Sequence, residues 1–250
     1  MLRRLIALLL VVFWCNDLVA QEAPPVSRLF YITVKDGMAA EFIEAAGKKT
    51  RRFNSKKGTT RYNTWRIMDG PRQGQFVRGP IGTTWSDFDT PTPQKELDYW
   101  IENVRPYIEK QENMQTWVTL TDISYNGRGD NAPPNFGRMW FYNINPGMNR
   151  RMIENARKVK EVHEAKETNV RFGWYRLESG GDRSTWLFAS GVYKWADLGN
   201  IAFITMYEEV HGKGSWTEWM NEFSQIVQSI PWARRAEFWR YVKEASSPPR

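Results

Sequence analysis

The sequence predicts an α+β protein made of two tandem copies of one β-α-β-β-α-β unit, and three observations carry that prediction. A pattern of residues recurs at a fixed offset of 110. Within each copy, aromatic-rich runs bounded by Gly turns alternate with stretches whose apolar residues fall three and four apart. A polar segment rich in Gly and Pro separates the copies.

The repeat comes first, because missing one misreads the whole fold. Gly37-Met38 recurs as Gly147-Met148, and Ile43-Glu44 as Ile153-Glu154. Ala46, Lys48 and Lys56 match Ala156, Lys158 and Lys166; Arg61, Arg66 and Gly70 match Arg171, Arg176 and Gly180. Trp85 and Asp87 match Trp195 and Asp197, with conservative pairs such as Tyr31/Phe141, Trp65/Tyr175 and Phe76/Trp186 between. No gap is needed from Leu29 to about Asp89.

Each copy reads in the same order. A strand (Leu29–Lys35, Met139–Asn145) leads through a Gly turn into a helix beginning at Met38 or Met148. A second strand (Thr60–Met68, Val170–Glu178), a hairpin turn at Asp69-Gly70-Pro71 or Ser179-Gly180-Gly181, and a third strand (Gln75–Arg78, Ser184–Ser190) follow. Trp85-Ser86-Asp87-Phe88 and Trp195-Ala196-Asp197-Leu198 read as the start of the second helix, the Asp capping free N–H groups and the Trp packing under the turn. The second helices are expected at Gln94–Lys110 and Ser215–Val227, and the fourth strands at Thr116–Ser124 and Ala236–Val242. Trp117 and Trp239 would correspond at an offset of 122, so copy two carries about twelve extra residues, read as a loop holding His211. The units span 27–125 and 136–245, with 126–135 as linker.

Residues 1–20 read as a signal peptide. Arg3 and Arg4 precede a short apolar run from Leu5 to Trp14, well under the roughly 20 residues a membrane span needs. Cleavage after Ala20 would remove Arg3, Arg4 and Asp17, taking the formal charge from +7 to +6. It would also remove Cys15, the only cysteine, and with it any disulfide or thiol chemistry. The protein is therefore expected to be exported, periplasmic or secreted, with no transmembrane segment after signal removal and no nucleic-acid partner. The basic run Lys48-Lys49-Thr50-Arg51-Arg52 reads as a solvated helix face, with an anionic surface as the alternative.

Candidate site residues are few. His163 and His211 are the only histidines, and Phe53 stands at the position of His163 in copy one. Two separated histidines make a poor metal site, so no metal is expected. Arg61 and Trp65 share one face of the second strand, and Arg171 and Tyr175 share the matching face, since residues two apart point the same way. An Arg beside an aromatic can grip a carboxylate or an enolate through its planar fork. A structural ion pair with Glu44 or Glu154 is the competing reading. Phosphate loops and nucleophile elbows are absent from the sequence.

The β-α-β-β-α-β order is that of the ferredoxin-like unit. With Trp-x-Asp-(Phe/Leu) after the third strand, the chain resembles the dimeric α+β barrel superfamily, which includes antibiotic-biosynthesis-type monooxygenases, EthD-like and NIPSNAP-like proteins. The resemblance implies two sheets packed face to face, one chain supplying both halves. The first functional expectation is a small-molecule-binding protein with an aromatic-lined pocket between sheet and helices, its ligand held by Arg61, Trp65, Arg171, Tyr175 and His163. The resemblance also implies a cofactor-independent oxygenase on a conjugated aromatic substrate, with His163 as the catalytic candidate. Haem held by His163 and a structural envelope interaction module are further alternatives, a resident cofactor otherwise not being expected. Whether the chain is an enzyme, and whether it forms a homo-oligomer, stays open at this point.

Overall fold

The computed structural model describes residues 23–130, 132–199, 202–229 and 234–248. The signal-peptide reading and Cys15 lie outside the described residues. The elements run β1 (Val26–Val34), α1 (Ala39–Phe53), β2 (Tyr62–Ile67), β3 (Phe76–Pro80), α2 (Gln94–Asn103), β4 (Ile108–Gln111), β5 (Gln115–Thr119) and β6 (Tyr125–Asn126). They continue as β7 (Phe136–Asn143), α3 (Asn149–Ala165), β8 (Arg171–Ser179), β9 (Thr185–Val192), α4 (Phe203–His211), α5 (Ser215–Ile226) and β10 (Arg234–Tyr241).

The strands form one antiparallel sheet in the order β3-β2-β10-β7-β9-β8-β5-β1, and β1 pairs with β3 to close it into a barrel. β4 pairs with the C-terminal end of β1, and β6 with the start of β8. Side-chain alternation then sorts the core into three parts. Leu29, Tyr31, Trp65, Ile67, Val77, Trp117, Met139, Phe141, Leu177, Leu187 and Trp239 come from all eight ring strands and form one cluster, which is the barrel lumen. Phe30, Ile32 and Phe76 point outward against Phe42 and Ala46 of α1. Phe172, Trp174 and Trp186 point outward against Met152, Ala156 and Val159 of α3 and Trp219 and Phe223 of α5. Each such large apolar side chain taken out of water stabilises the fold by about 1.5–3 kcal/mol.

Several expected boundaries move, each for a local reason. α2 stops at Asn103 rather than Lys110, because Pro106 has no N–H to donate and disfavours helix before it. The residues beyond it become β4. Trp85–Phe88 is a separate 3-10 turn, not the first turn of α2. Asp87 caps it as expected, its Oδ2 accepting from Thr84 N at 2.7 Å, but Trp85 and Trp195 are exposed rather than packed beneath. The extra segment of copy two is not a loop: it is α4, with His211 as its last residue. The basic run on α1 is not wholly solvated either. Lys49 and Thr50 fall on the inward stripe with Phe42 and Ala46, and Lys49 forms a buried ion pair with Glu96 of α2.

The chain after β10 turns back over the first half. Ala245 O accepts from Thr50 Oγ1 (3.2 Å), Thr64 Oγ1 (3.1 Å) and the buried Arg78 Nη1 (2.6 Å), and Val242 and Ala245 join the core under α1. No helix among the described residues is long and apolar enough to cross a membrane.

Candidate functional site

The structure separates the residues that the sequence grouped. Trp65 and Tyr175 lie in the lumen, on the side of the sheet away from the helices. Trp65 packs against Trp239 and Tyr241, with ring centroids 6.3 and 5.9 Å apart. Tyr175 folds back over Gly173, where a Cβ would stand only 2.6 Å from its hydroxyl oxygen. Burial raises the Tyr175 pKa, so it stays a neutral phenol. Arg61 donates to Pro248 O of the returning C-terminal segment, and Arg171 donates to Ala132 O at 3.2 Å. The anticipated carboxylates bind elsewhere: Glu44 pairs with Lys48 and Glu154 with Arg150.

His163 stands apart from these four, near the C-terminus of α3. Its ring stacks on Tyr125 (5.8 Å, 23°) and on Phe203 (5.1 Å, 24°), with Phe172 5.2 Å away. Nδ1 is hydrogen-bonded to Thr168 Oγ1 at 2.8 Å. Burial among these rings pushes its pKa down to about 4, so the imidazole is neutral at pH 7. His211 bonds Lys158 O through Nε2 (3.0 Å) and packs on Tyr207, which ties α4 to α3.

The sequence missed a site on the outer face of β7, β9 and β10. Met139 and Phe141 face the lumen, so Phe136, Arg138, Trp140 and Tyr142 face out. Cross-strand register sets Arg138 between Phe238 and Ser190, and Trp140 between Ala236 and Phe188. Ser190 and Ala236 are small, and Phe136, Arg138, Trp140, Phe188 and Phe238 are all only half-buried, so α3–α5 leave this part of the sheet open. The Arg138 guanidinium lies 4.3 Å from the Trp140 ring centroid and 5.6 Å from that of Phe238. Its Nε is shielded from water and makes no hydrogen bond among the described residues. Trp195, 51% exposed, borders the same face against Phe136 (4.4 Å) and Phe238 (5.3 Å). A line of ring contacts connects it to the imidazole: Trp140–Phe188 (5.3 Å), Phe188–Phe172 (5.4 Å) and Phe172–His163 (5.2 Å). An aromatic floor with one under-satisfied guanidinium can stack a flat molecule and pair with its anionic group. The signal for it is the alternation Phe136-x-Arg138-x-Trp140-x-Tyr142, of which a strand starting at Met139 holds only Trp140 and Tyr142.

Barrel and helices together define an α+β barrel protein. No family model matches the sequence, and no curated protein is similar to it in sequence. Solved structures are similar in fold. A candidate monooxygenase from Lactobacillus acidophilus NCFM superposes with a TM-score of 0.58 at 13% identity, over 88% of this chain and 95% of that one. Chlorite dismutase from Candidatus Nitrospira defluvii superposes at 0.54 and 8% identity, over 90% and 94%. An anthrone oxidase-like protein superposes at 0.50 and 6% identity, over 88% and 92%. At these identities the likeness establishes the fold and not the chemistry.

Haem does not fit at His163 as the described residues pack. Tyr125 and Phe203 stack on the imidazole, and the space between α3 and the sheet is filled by Phe172, Trp174 and Trp186, which leaves no room for a macrocycle beside the ring. Groups of three or more metal-ligating side chains are also absent among the described residues.

Proposed function

We propose that this is an exported protein that binds a flat, conjugated aromatic small molecule carrying an acidic group, on the open outer face of β7, β9 and β10. One observation carries the reading: Arg138 sits between Trp140 and Phe238 on a half-exposed aromatic face, with no hydrogen-bond acceptor for its shielded Nε among the described residues. A buried donor left unpaired costs about 1–3 kcal/mol, so an anionic ligand there recovers what the free protein lacks. Stacking on Trp140 and Phe188 supplies the apolar contribution. The test is quenching of tryptophan fluorescence by 2-naphthoate. Arg138→Gln should weaken binding about tenfold, the value of one charge-assisted hydrogen bond. A flat titration in the wild type, or equal affinity in the variant, overturns the proposal.

A second reading, that the bound molecule is oxidised by oxygen without a cofactor, draws on His163. Its imidazole is neutral and lies behind Phe188 and Phe172 from the open face, so it enters this reading as a residue that positions those rings. The naming of two fold neighbours, a candidate monooxygenase and an anthrone oxidase-like protein, points the same way. Oxygen uptake with a hydroxyanthrone and no added cofactor should occur and should fall in His163→Ala. Uptake unchanged in that variant removes His163 from the reaction.

We also propose that the barrel is an intramolecular pair of ferredoxin-like units. The strands of the first half follow β5-β1-β3-β2 and those of the second β10-β7-β9-β8, which is the same order. Both halves carry a short turn capped alike, Asp87 accepting from Thr84 N at 2.7 Å and Asp197 from Lys194 N at 2.9 Å.

A further inference from the structure

The lumen ends in charge rather than in carbon. Asp69 Oδ1 accepts from Phe238 N at 2.6 Å and pins the β2–β3 turn onto β10, which brings Arg72 over the barrel end. There Arg72 lies 3.7 Å above the Tyr31 ring, and Arg235 lies 4.0 Å from the Phe141 ring centroid. Glu237, 0% exposed, accepts a two-pronged pair from Arg72 (Nε and Nη2, both 3.0 Å) and a third bond from Trp239 Nε1 at 2.8 Å. Arg235 reaches the same carboxylate only loosely, at 3.5 Å.

The charges at this end do not balance. Arg72 and Arg235 bring two positive charges against the one carboxylate of Glu237. Lys110 and Glu112 at the rim neutralise each other at 3.8 Å. Among the described residues one positive charge is left over, on Arg235, whose side chain is 37% exposed. The polar atoms are also unfinished. Among the described residues, the hydroxyl of Tyr31, which is 1% exposed, lies beside Arg72 without a well-formed hydrogen bond, and the side-chain oxygens of Gln75 and Gln115 are buried without hydrogen-bond partners. Alongside, a depression of about 360 Å³ lined by Lys110, Gln111, Glu112, Asn113, Gln115 and Gly180 opens to solvent. Two of its lining residues are next to the cluster along the backbone: Gln115 pairs with Leu29, and Glu112 donates its N–H to Tyr31 O at 2.9 Å.

We infer that this end of the barrel is a second binding site, for a small monocarboxylate, with the Arg235 guanidinium and the Tyr31 hydroxyl as its donors. A monoanion matches the surplus of one charge; a phosphate dianion would overshoot it and face Glu237 and Glu112. Burial keeps the Tyr31 phenol protonated, hence able to donate. The site is separate from the aromatic face, since Arg235 and Tyr31 point inward where Arg138 points outward.

The experiment is calorimetric titration and thermal unfolding of the full chain with sodium acetate, against sodium chloride at matched ionic strength. Acetate should bind one to one and raise the melting temperature above the chloride control. Arg235→Gln should lose about tenfold in affinity and Tyr31→Phe several-fold. Tyr31→Phe should lose the same several-fold in an Arg138→Gln background, which separates this site from the proposed aromatic one. Equal effects of acetate and chloride overturn the inference. So does unchanged affinity in Tyr31→Phe, a variant that keeps the ring under Arg72 and so tests the donor even if Arg235→Gln fails to fold.

Discussion

His163 shows how packing sets the chemistry of one residue. Its rings of contact lower its pKa from the ordinary 6.5 to about 4, so the fold favours the neutral imidazole and protonation favours the unfolded chain. The stabilisation is therefore complete above pH 6.5 and is lost as pH falls from there towards 4. His163→Phe, the residue type of copy one, should flatten that part of the profile; the check is the urea midpoint between pH 7 and pH 4.5. Glu237 is the opposite case, a buried carboxylate whose removal strands two guanidinium groups. Glu237→Gln should cost about 3–5 kcal/mol in urea unfolding, as for a broken buried ion pair. The sequence marked His163 because histidine is rare in this chain. It could not mark Glu237, because a single glutamate between Ala236 and Phe238 on a strand looks like any solvated one.

At the scale of elements, the seam between β1 and β3 closes the barrel, and Gly79 makes it tight. A Cβ there would stand 1.8 Å from Arg28 O, a backbone atom that cannot swing away. Gly79→Ala should destabilise by more than about 2 kcal/mol or prevent folding, where Gly82→Ala, with open space around it but φ +62°, should cost about 1 kcal/mol. Differential scanning calorimetry on the two variants gives the comparison. The returning C-terminal segment is the other long-range tie. The Ala245 carbonyl serves the buried Arg78, and Ser246 and Ser247 hydroxyls accept from Thr64 N (2.9 Å) and Tyr62 N (3.0 Å). Deleting 243–250 should therefore loosen the first half selectively. Hydrogen exchange should speed up in α1 and β2 and stay slow in α3; uniform exchange would refute that division.

For the whole molecule, closure decides what each strand face does. Closure turns one side of every ring strand to the lumen, and β1, β3, β8 and β9 carry apolar residues on the outer side as well, where they meet helices. A period of two then says which residues share a face, and Trp65 with Ile67 and Tyr175 with Leu177 do share one. It does not say which face is inside. For that reason Trp65 and Tyr175 were grouped as walls of a pocket under the helices, whereas they fill the barrel. The helices themselves cover the second half unevenly, and the face that they leave open carries Arg138.

The sequence by itself determined the α+β class, the order of the main elements and the prominence of His163, because these rest on local periodicity, turn residues and composition along the chain. Only the tertiary structure decided that the ring closes, that Lys49 and Arg78 are buried, and that Tyr31, Arg72, Arg235 and Glu237 meet at one end. Those residues lie far apart in the chain, and no local pattern encodes a meeting set by strand pairing and barrel closure.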